Sequence, residues 1–218
     1  MMKNKRYILL AALLTVFACK TEKKVDKETT LPFFNSANFT PEWIAESSSK
    51  YKDIHTIPEF KFTNQKGETV SNETYKNKIY VADFFFTSCP GICPRLAKNM
   101  GALQETFKDD KDVLLLSHSV TPVKDSVSVL KTYGIENNVN PNKWNLVTGD
   151  KNEIYNIARK GYFADEDFVK TQDESAFIHT ENFILIDKKG RIRGVYNGTL
   201  AIEKDRILRH IQLLKKEV

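Results

Sequence analysis

Apolar residues in this chain fall into three kinds of pattern, and each kind predicts a different element. Lys78 to Phe86 and Asp112 to Val120 are nearly continuous apolar runs, suited to strands buried on both faces. Trp144 to Thr148 is a shorter one. Helical spacing recurs four times. In 93–107 it is carried by Leu96, Met100, Leu103 and Phe107, and in 126–133 by Val127, Val129 and Leu130, with a stop at Gly134. In 152–160 it is carried by Ile154, Ile157 and Ala158, with a stop at Gly161, and in 202–216 by Ile207, Leu208, Ile211 and Leu214. Two segments read as hairpins. Ile57 to Val70 turns at Asn64-Gln65-Lys66-Gly67, and 181–186 joins 192–196 through Asp187-Lys188-Lys189-Gly190.

Strands that alternate with helices imply a partly parallel sheet covered on both faces. The closing antiparallel hairpin and helix predict a single α/β domain of thioredoxin-like fold, with an N-terminal β-hairpin as an extension. Across 218 residues, 41% apolar and 28% charged composition supports one real core and excludes a polytopic membrane protein or a mostly disordered chain.

The N-terminus has another character. Lys3, Lys5 and Arg6 precede the apolar run Tyr7–Ala18, which is too short to span a bilayer and has the layout of a secretory signal. Leu14-Thr15-Val16-Phe17-Ala18-Cys19 resembles a bacterial lipobox, with Phe17 bulkier than usual at its place. The expected organisation is a lipoprotein signal peptide over 1–18, then a lipid-bearing Cys19, a tether and an aromatic arm over 19–50, and the domain over 51–218. Lys20 to Thr30 is a mixed-charge run without core residues, suited to a flexible tether. Phe33, Phe34, Phe39 and Trp43 make the arm aromatic, and packing on the domain is their simplest role. The whole chain carries +5, of which residues 1–18 hold three positive charges and no acid, so the remainder is near neutral at +2. With no basic stripe, nucleic-acid binding has no support. The expected setting is a bacterial cell envelope, anchored to a membrane by lipid and facing its extracytoplasmic (periplasmic) side, where two thiols can also oxidise.

Cys89 and Cys93 stand in Asp83-Phe-Phe-Phe-Thr-Ser-Cys89-Pro-Gly-Ile-Cys93-Pro94, between a buried strand and a helix. Reactive groups collect at the carboxyl ends of strands in such sheets, and free N–H groups at a helix start favour thiolate. The thiolate is both nucleophile and metal ligand, so the placement serves redox or metal chemistry. Three intervening residues put the two sulfurs on one face if the segment is helical, at a separation a soft monovalent ion can bridge, and two thiolates favour Cu(I). A disulfide remains open to the pair if the loop deforms.

This segment resembles the Sco/SenC family of copper-delivery proteins, whose signature is a Cys-Pro-x-x-Cys-Pro loop after an Asp-Phe-Phe-type strand. A second motif agrees: His179-Thr180, followed by Phe183-Ile-Leu-Ile-Asp187 and Gly190. The resemblance covers roughly residues 55–214. It implies a thioredoxin fold that binds copper, Cu(I) or Cu(II), through Cys89, Cys93 and His179, and that delivers it to, or prepares, the binuclear copper site of cytochrome c oxidase. The partner it implies is the copper-accepting subunit of a terminal oxidase; the copper donor stays unnamed. The chain departs from the family at Thr121-Pro122, where Asp-Pro is usual, and at Ile178, where Asp is common.

The remaining candidates have plainer readings. His118 is expected to be a hydrogen-bonded core imidazole, with an accessory role near the site as the alternative. His55 and His210 read as loop and surface-helix positions, Met100 as core, Asp83 as structural, and Glu203, Lys204 and Arg206 as a solvated face. A thiol–disulfide oxidoreductase, with Cys89 and Cys93 as the redox-active pair acting on an extracytoplasmic partner, is the main alternative to a metallochaperone. No proline follows Pro141, and Ile178-His179 stands where such an enzyme would place its cis-proline. A peroxidase using Arg95 fits the paired cysteines less well.

Overall fold

The computed structural model describes residues 29–165, 178 and 180–217. Cys19 and His179 lie outside these residues, as does the signal segment. Nine strands occur among the described residues: β1 (Phe33–Phe34), β2 (Pro41–Glu42), β3 (Lys61–Asn64), β4 (Thr69–Ser71), β5 (Ile79–Phe85), β6 (Val113–Ser119), β7 (Trp144–Thr148), β8 (Asn182–Ile186) and β9 (Ile192–Asn197). Four α-helices accompany them: α1 (Cys93–Thr106), α2 (Val127–Glu136), α3 (Lys151–Asn156) and α4 (Glu203–Lys216). Strands β1 and β2 form a small ribbon. The other seven make one sheet in the order β4-β3-β7-β6-β5-β8-β9.

The sheet is thioredoxin-like, with a parallel centre. β5 pairs in parallel with β6, and β6 with β7, while β8, β9 and the β3–β4 hairpin run antiparallel to their neighbours. The apolar run that predicted β5 is explained by its position, since all seven of its residues are buried between two helical layers. Its alternate residues divide the core. Ile79, Val81 and Phe85 face α1 and α4, meeting Leu96, Met100, Leu103, Ile207 and Ile211. Tyr80, Ala82 and Phe84 face the other way, toward Phe60, Phe62, Ile154 and Tyr162.

Both predicted hairpin turns are present, with Gly67 at φ +80° and Gly190 at φ +76°, where a side chain would be strained. The expected stop at Gly134 is corrected: α2 runs on to Glu136. A Cβ at 134 would stand 3.6 Å from Leu146 and 3.7 Å from Val139, so this glycine serves close packing inside the helix. Val129, expected to face inward, is 38% exposed, because the buried stripe of this short helix is Leu130 and Gly134.

The aromatic arm packs as expected at its start. Leu31 and Phe33 are buried, while Phe34, Phe39 and Trp43 are half-buried. Among the described residues no helix is long and apolar enough to cross a membrane.

Candidate metal centre

β5 and β6 end side by side, with Phe85 paired to Ser119, and the chain leaving β5 forms a loop that re-enters the fold at α1. Backbone bonds shape this loop: Val120 N–H donates to Phe85 O at 2.8 Å, and Cys89 N–H donates to Phe86 O at 3.3 Å. Cys93 is the first residue of α1, which has Pro94 in its first turn and no side-chain cap on Ile92. Pro is tolerated there because its missing N–H has no helical partner to lose. The N–H groups around the helix start are therefore free to serve another acceptor.

That acceptor is the sulfur of Cys89. Burial acts to raise its pKa, but hydrogen bonds from the Cys93 thiol and from the backbone N–H groups of Cys93, Gly91 and Ile92 outweigh burial and lower it. A Cβ on Gly91 would lie 3.9 Å from Cys89 Sγ, so the backbone passes close to the sulfur. Cys93 is pushed the other way. Burial raises its pKa first, the hydrogen bond to Cys89 adds to this, and the nearby charges of Cys89 and Asp83 reinforce it. The two thiols are free and in contact, Cys89 half-buried and Cys93 only 5% exposed. Cys89 lies in the loop ahead of the helix, so it is the turn at 86–92 that brings the sulfurs together, and not a shared helix face.

The groups around the pair come from both central strands and from α2. Asp83, two residues before the end of β5, points to the same side as Cys93 and is 2% exposed. Burial raises its pKa to about 7, against a hydrogen bond from Ser117. Its Oδ1 has no hydrogen-bond partner among the described residues. The Tyr133 ring packs on Phe85 at 5.2 Å. Its phenol pKa is raised by burial and then by the charges of Asp83, Cys93, Cys89 and Asp125. A groove of about 420 Å³ opens beside the loop, lined among others by Thr87, Ser88, Val129 and Tyr133. The sequence reading missed Tyr133, Thr87 and Asp125. Thr87 and Asp125 follow the ends of the two predicted central strands and Tyr133 closes the helix predicted over 126–133, which is the only signal they give.

The histidines divide. His118 is fully buried on the opposite sheet face, stacked on Phe84 at 4.8 Å with Phe62 and Tyr162 edging it. Neither ring nitrogen has a partner of full hydrogen-bond geometry among the described residues, and burial lowers its pKa to about 3 against a backbone contact with Asp83. It is a neutral core imidazole remote from the thiols' face of the sheet. His210 is corrected from surface to half-buried: its Nδ1 meets Tyr196 OH at 2.7 Å. His55 Nε2 contacts Gly161 O at 2.7 Å, as a loop residue tied to its neighbour. The face expected to be solvated at 203–206 is half-buried, with Arg206 paired to Glu203 and 4.6 Å from the Tyr196 ring. Among the described residues no three His, Cys, Asp or Glu side chains gather as a metal site. What the fold brings together is a two-sulfur pair at an open sheet end. Ile178, the neighbour of His179, is buried against the far face of the same sheet.

Known proteins match this chain over most of its length. A SCO1 protein homolog from Bacillus subtilis is 32% identical over 160 residues, covering 72% of this chain and 82% of its own length. The structure of a SCO1/SenC family lipoprotein from Bacillus anthracis superposes with a TM-score of 0.64 at 30% identity, covering 74% of this chain and 96% of that one. BsSco, described with a disulfide switch as a member of the Sco family of cytochrome c oxidase assembly proteins, gives 0.63 at 28% identity, with coverage of 76% and 96%. Yeast Sco1 with copper bound shares the fold at 22% identity and a TM-score of 0.56, over 75% of this chain and 94% of that one. The sequence model of the SCO1/SenC family matches residues 48–215, and the chain belongs to that family.

Proposed function

We propose that this protein is a membrane-tethered copper metallochaperone that carries Cu to the copper-accepting subunit of a terminal oxidase. The observation that carries the reading is the thiol pair itself: Cys89 and Cys93 in contact at an open sheet end, one reachable and one buried. Thiolates are soft ligands, and two of them suit Cu(I) above the other available metals. The N–H groups that favour the Cys89 thiolate also prepare it to meet the ion without first losing a proton at high cost. Cys93 then closes the pair from beneath. His179 is the third ligand in this reading, and a neutral imidazole added to two thiolates also accommodates Cu(II). A site with few ligands lets the thiolates of an acceptor attack the ion one at a time, so copper leaves by ligand exchange. Membership of a family that includes oxidase assembly proteins supports the choice of acceptor.

The same reading takes residues 1–18 as a signal peptide and Cys19 as the lipid attachment, with the domain facing the extracytoplasmic side. The lipobox-like segment supports this, as does a relative described as a lipoprotein.

A second reading has one specific observation in its favour. A lowered pKa at the reachable Cys89 and a raised one at the buried Cys93 is the asymmetry of an attacking and a resolving thiol. An oxidoreductase that reduces the acceptor's cysteines would use the pair in that way.

Anaerobic Cu(I) titration of the reduced full-length chain against a competing chelator separates the two. The Cys89→Ser/Cys93→Ser double variant is the control. One tightly held copper per wild-type chain, absent from the variant, is expected. No tight copper together with a readily reduced Cys89–Cys93 disulfide would replace the metallochaperone with the oxidoreductase.

A further inference from the structure

Asp125 touches neither sulfur, yet it holds the loop that carries one of them. It lies between β6 and α2 and is 1% exposed. Its two oxygens accept four hydrogen bonds. Oδ1 takes Thr87 Oγ1 at 2.6 Å. Oδ2 takes Thr87 N–H at 3.2 Å, Ser119 Oγ at 2.6 Å and Thr121 Oγ1 at 2.9 Å. Bonds to a charged acceptor are about twice as strong as neutral ones, and burial keeps water from competing for them. Backbone turns fix the carboxylate in its turn: Asp125 N–H donates to Thr121 O at 2.9 Å, and Ser126 caps α2 directly after it.

Thr87 stands two residues before Cys89. It is gripped at both its N–H and its hydroxyl, which sets the direction of the chain at that point. Thr121, at the place where the family resemblance leads one to expect Asp, is one of the donors. A second carboxylate there would repel Asp125; the hydroxyl binds it.

We infer that Asp125 is a positioning residue for the thiol pair. Acting through Thr87, it fixes loop 86–89 so that Cys89 Sγ stays over the N–H groups of residues 91–93 and against Cys93. The consequence for copper rests on the proposed function, whereas the consequence for the thiols does not.

The test uses the full-length chain with Asp125→Ala and Asp125→Asn. Two quantities are read: Cu(I) affinity by chelator competition, and the Cys89–Cys93 dithiol–disulfide equilibrium against glutathione, followed by mass spectrometry of the peptide that holds both. Loss of a partner that orients a metal ligand typically lowers affinity about 10–100-fold, and that range is expected for Asp125→Ala. The thiol equilibrium is expected to shift about tenfold, the weight of one strong hydrogen bond. Asp125→Asn keeps one acceptor oxygen and should fall between. Leu214→Ala, in the core on α4, should lose stability and leave both readings at wild-type values.

A folded Asp125→Ala with wild-type affinity and equilibrium overturns the inference. Should that variant not fold, Thr87→Val decides: a shift in the same direction supports the role, and no shift overturns it. Should the wild-type chain take up no copper, the metallochaperone reading falls and the thiol equilibrium still judges Asp125.

Discussion

The guanidinium carbon of Arg193 stands 4.2 Å from the centroid of the Phe33 ring. The same side chain donates to Leu31 O at 2.7 Å and Pro32 O at 3.0 Å, and pairs with Asp187 at 3.2 Å and Glu217 at 2.8 Å. A residue of β9 that is only 2% exposed therefore ties the arm, the β8–β9 turn and the end of α4 together. These groups lie at the opposite end of β8 from residue 182, and so away from the end of the sheet that carries the thiols. Breaking a buried ion pair costs about 3–5 kcal/mol. Asp187 keeps Arg191 at 2.7 Å and Glu217 is partly exposed, so Arg193→Met should cost about 3 kcal/mol, the low end. Urea unfolding measures that loss, and limited proteolysis should cut the arm before Tyr51. A wild-type midpoint with a protected arm would contradict the latch.

Two buried groups give opposite pH dependences. Asp83 has its pKa raised to about 7 from an ordinary 3.8. Between those values the folded chain keeps a proton that the unfolded chain has released, so this group removes stability as pH rises from about 4 to 7. His118 has its pKa lowered to about 3 from an ordinary 6.5. In that window the unfolded chain binds the proton, so this group adds stability as pH rises from about 3 to 6.5. Each slope is about 1.4 kcal/mol per pH unit, and the two nearly cancel between pH 4 and 6.5. Relative to wild type, reduced, metal-free Asp83→Asn should therefore gain stability steadily from pH 4 to 6.5, and His118→Leu should lose it, while half-buried His210, its pKa lowered to about 4 by burial, adds the same rise to all three chains. Urea midpoints that keep a constant offset from wild type across this range in both variants would show that neither group titrates as its burial requires.

How much of this was legible in the sequence depends on the distance over which each feature is decided. β5 and β6 were, because a strand buried on both faces must be a continuous apolar run. The thiol pair was, because its residues are four apart and adjoin both elements that place them. The end of α2 was not, since Gly134 reads as a stop until Leu146 is seen packed against it. Whether Cys89 shares a helix face with Cys93 was not, because spacing alone does not tell a turn from a helix. Asp125 carries no mark of its role in the sequence. Its donors come from Thr87, Ser119 and Thr121, and only the pairing of β5 with β6 brings the first of them near. His210 looked exposed because its partner, Tyr196, belongs to another element.

The contrast between the two thiols makes a kinetic prediction that needs no metal. Cys89 is reachable and lowered in pKa, while Cys93 is buried and raised. Alkylation requires the thiolate and access to it. Iodoacetamide at pH 7 should label Cys89 at least about tenfold faster than Cys93. The rate at Cys89 should reach half its maximum below about pH 8.5, the value for a free cysteine. Peptide mapping after short labelling pulses gives both rates. Equal rates would mean that the helix-start N–H groups do not favour the Cys89 thiolate.

The sharpest prediction of the proposed three-ligand site concerns the oxidation state of the ion. Cu(I) is satisfied by two thiolates and gains little from a third, harder ligand, whereas Cu(II) prefers nitrogen in its set. His179→Ala should then hold Cu(I) within about threefold of wild type and lose Cu(II) about 10–100-fold, the usual scale for a lost or disordered ligand. The Cu(II) thiolate charge-transfer absorption and the electron paramagnetic resonance spectrum should change with it. Cys89→Ser or Cys93→Ser should instead abolish tight Cu(I) binding outright, since one thiolate leaves no soft pair. Chelator competition under anaerobic and aerobic conditions supplies both affinities for each variant. An unchanged Cu(II) affinity and spectrum in His179→Ala would remove that imidazole from the site and leave Cys89 and Cys93 as its whole ligand set.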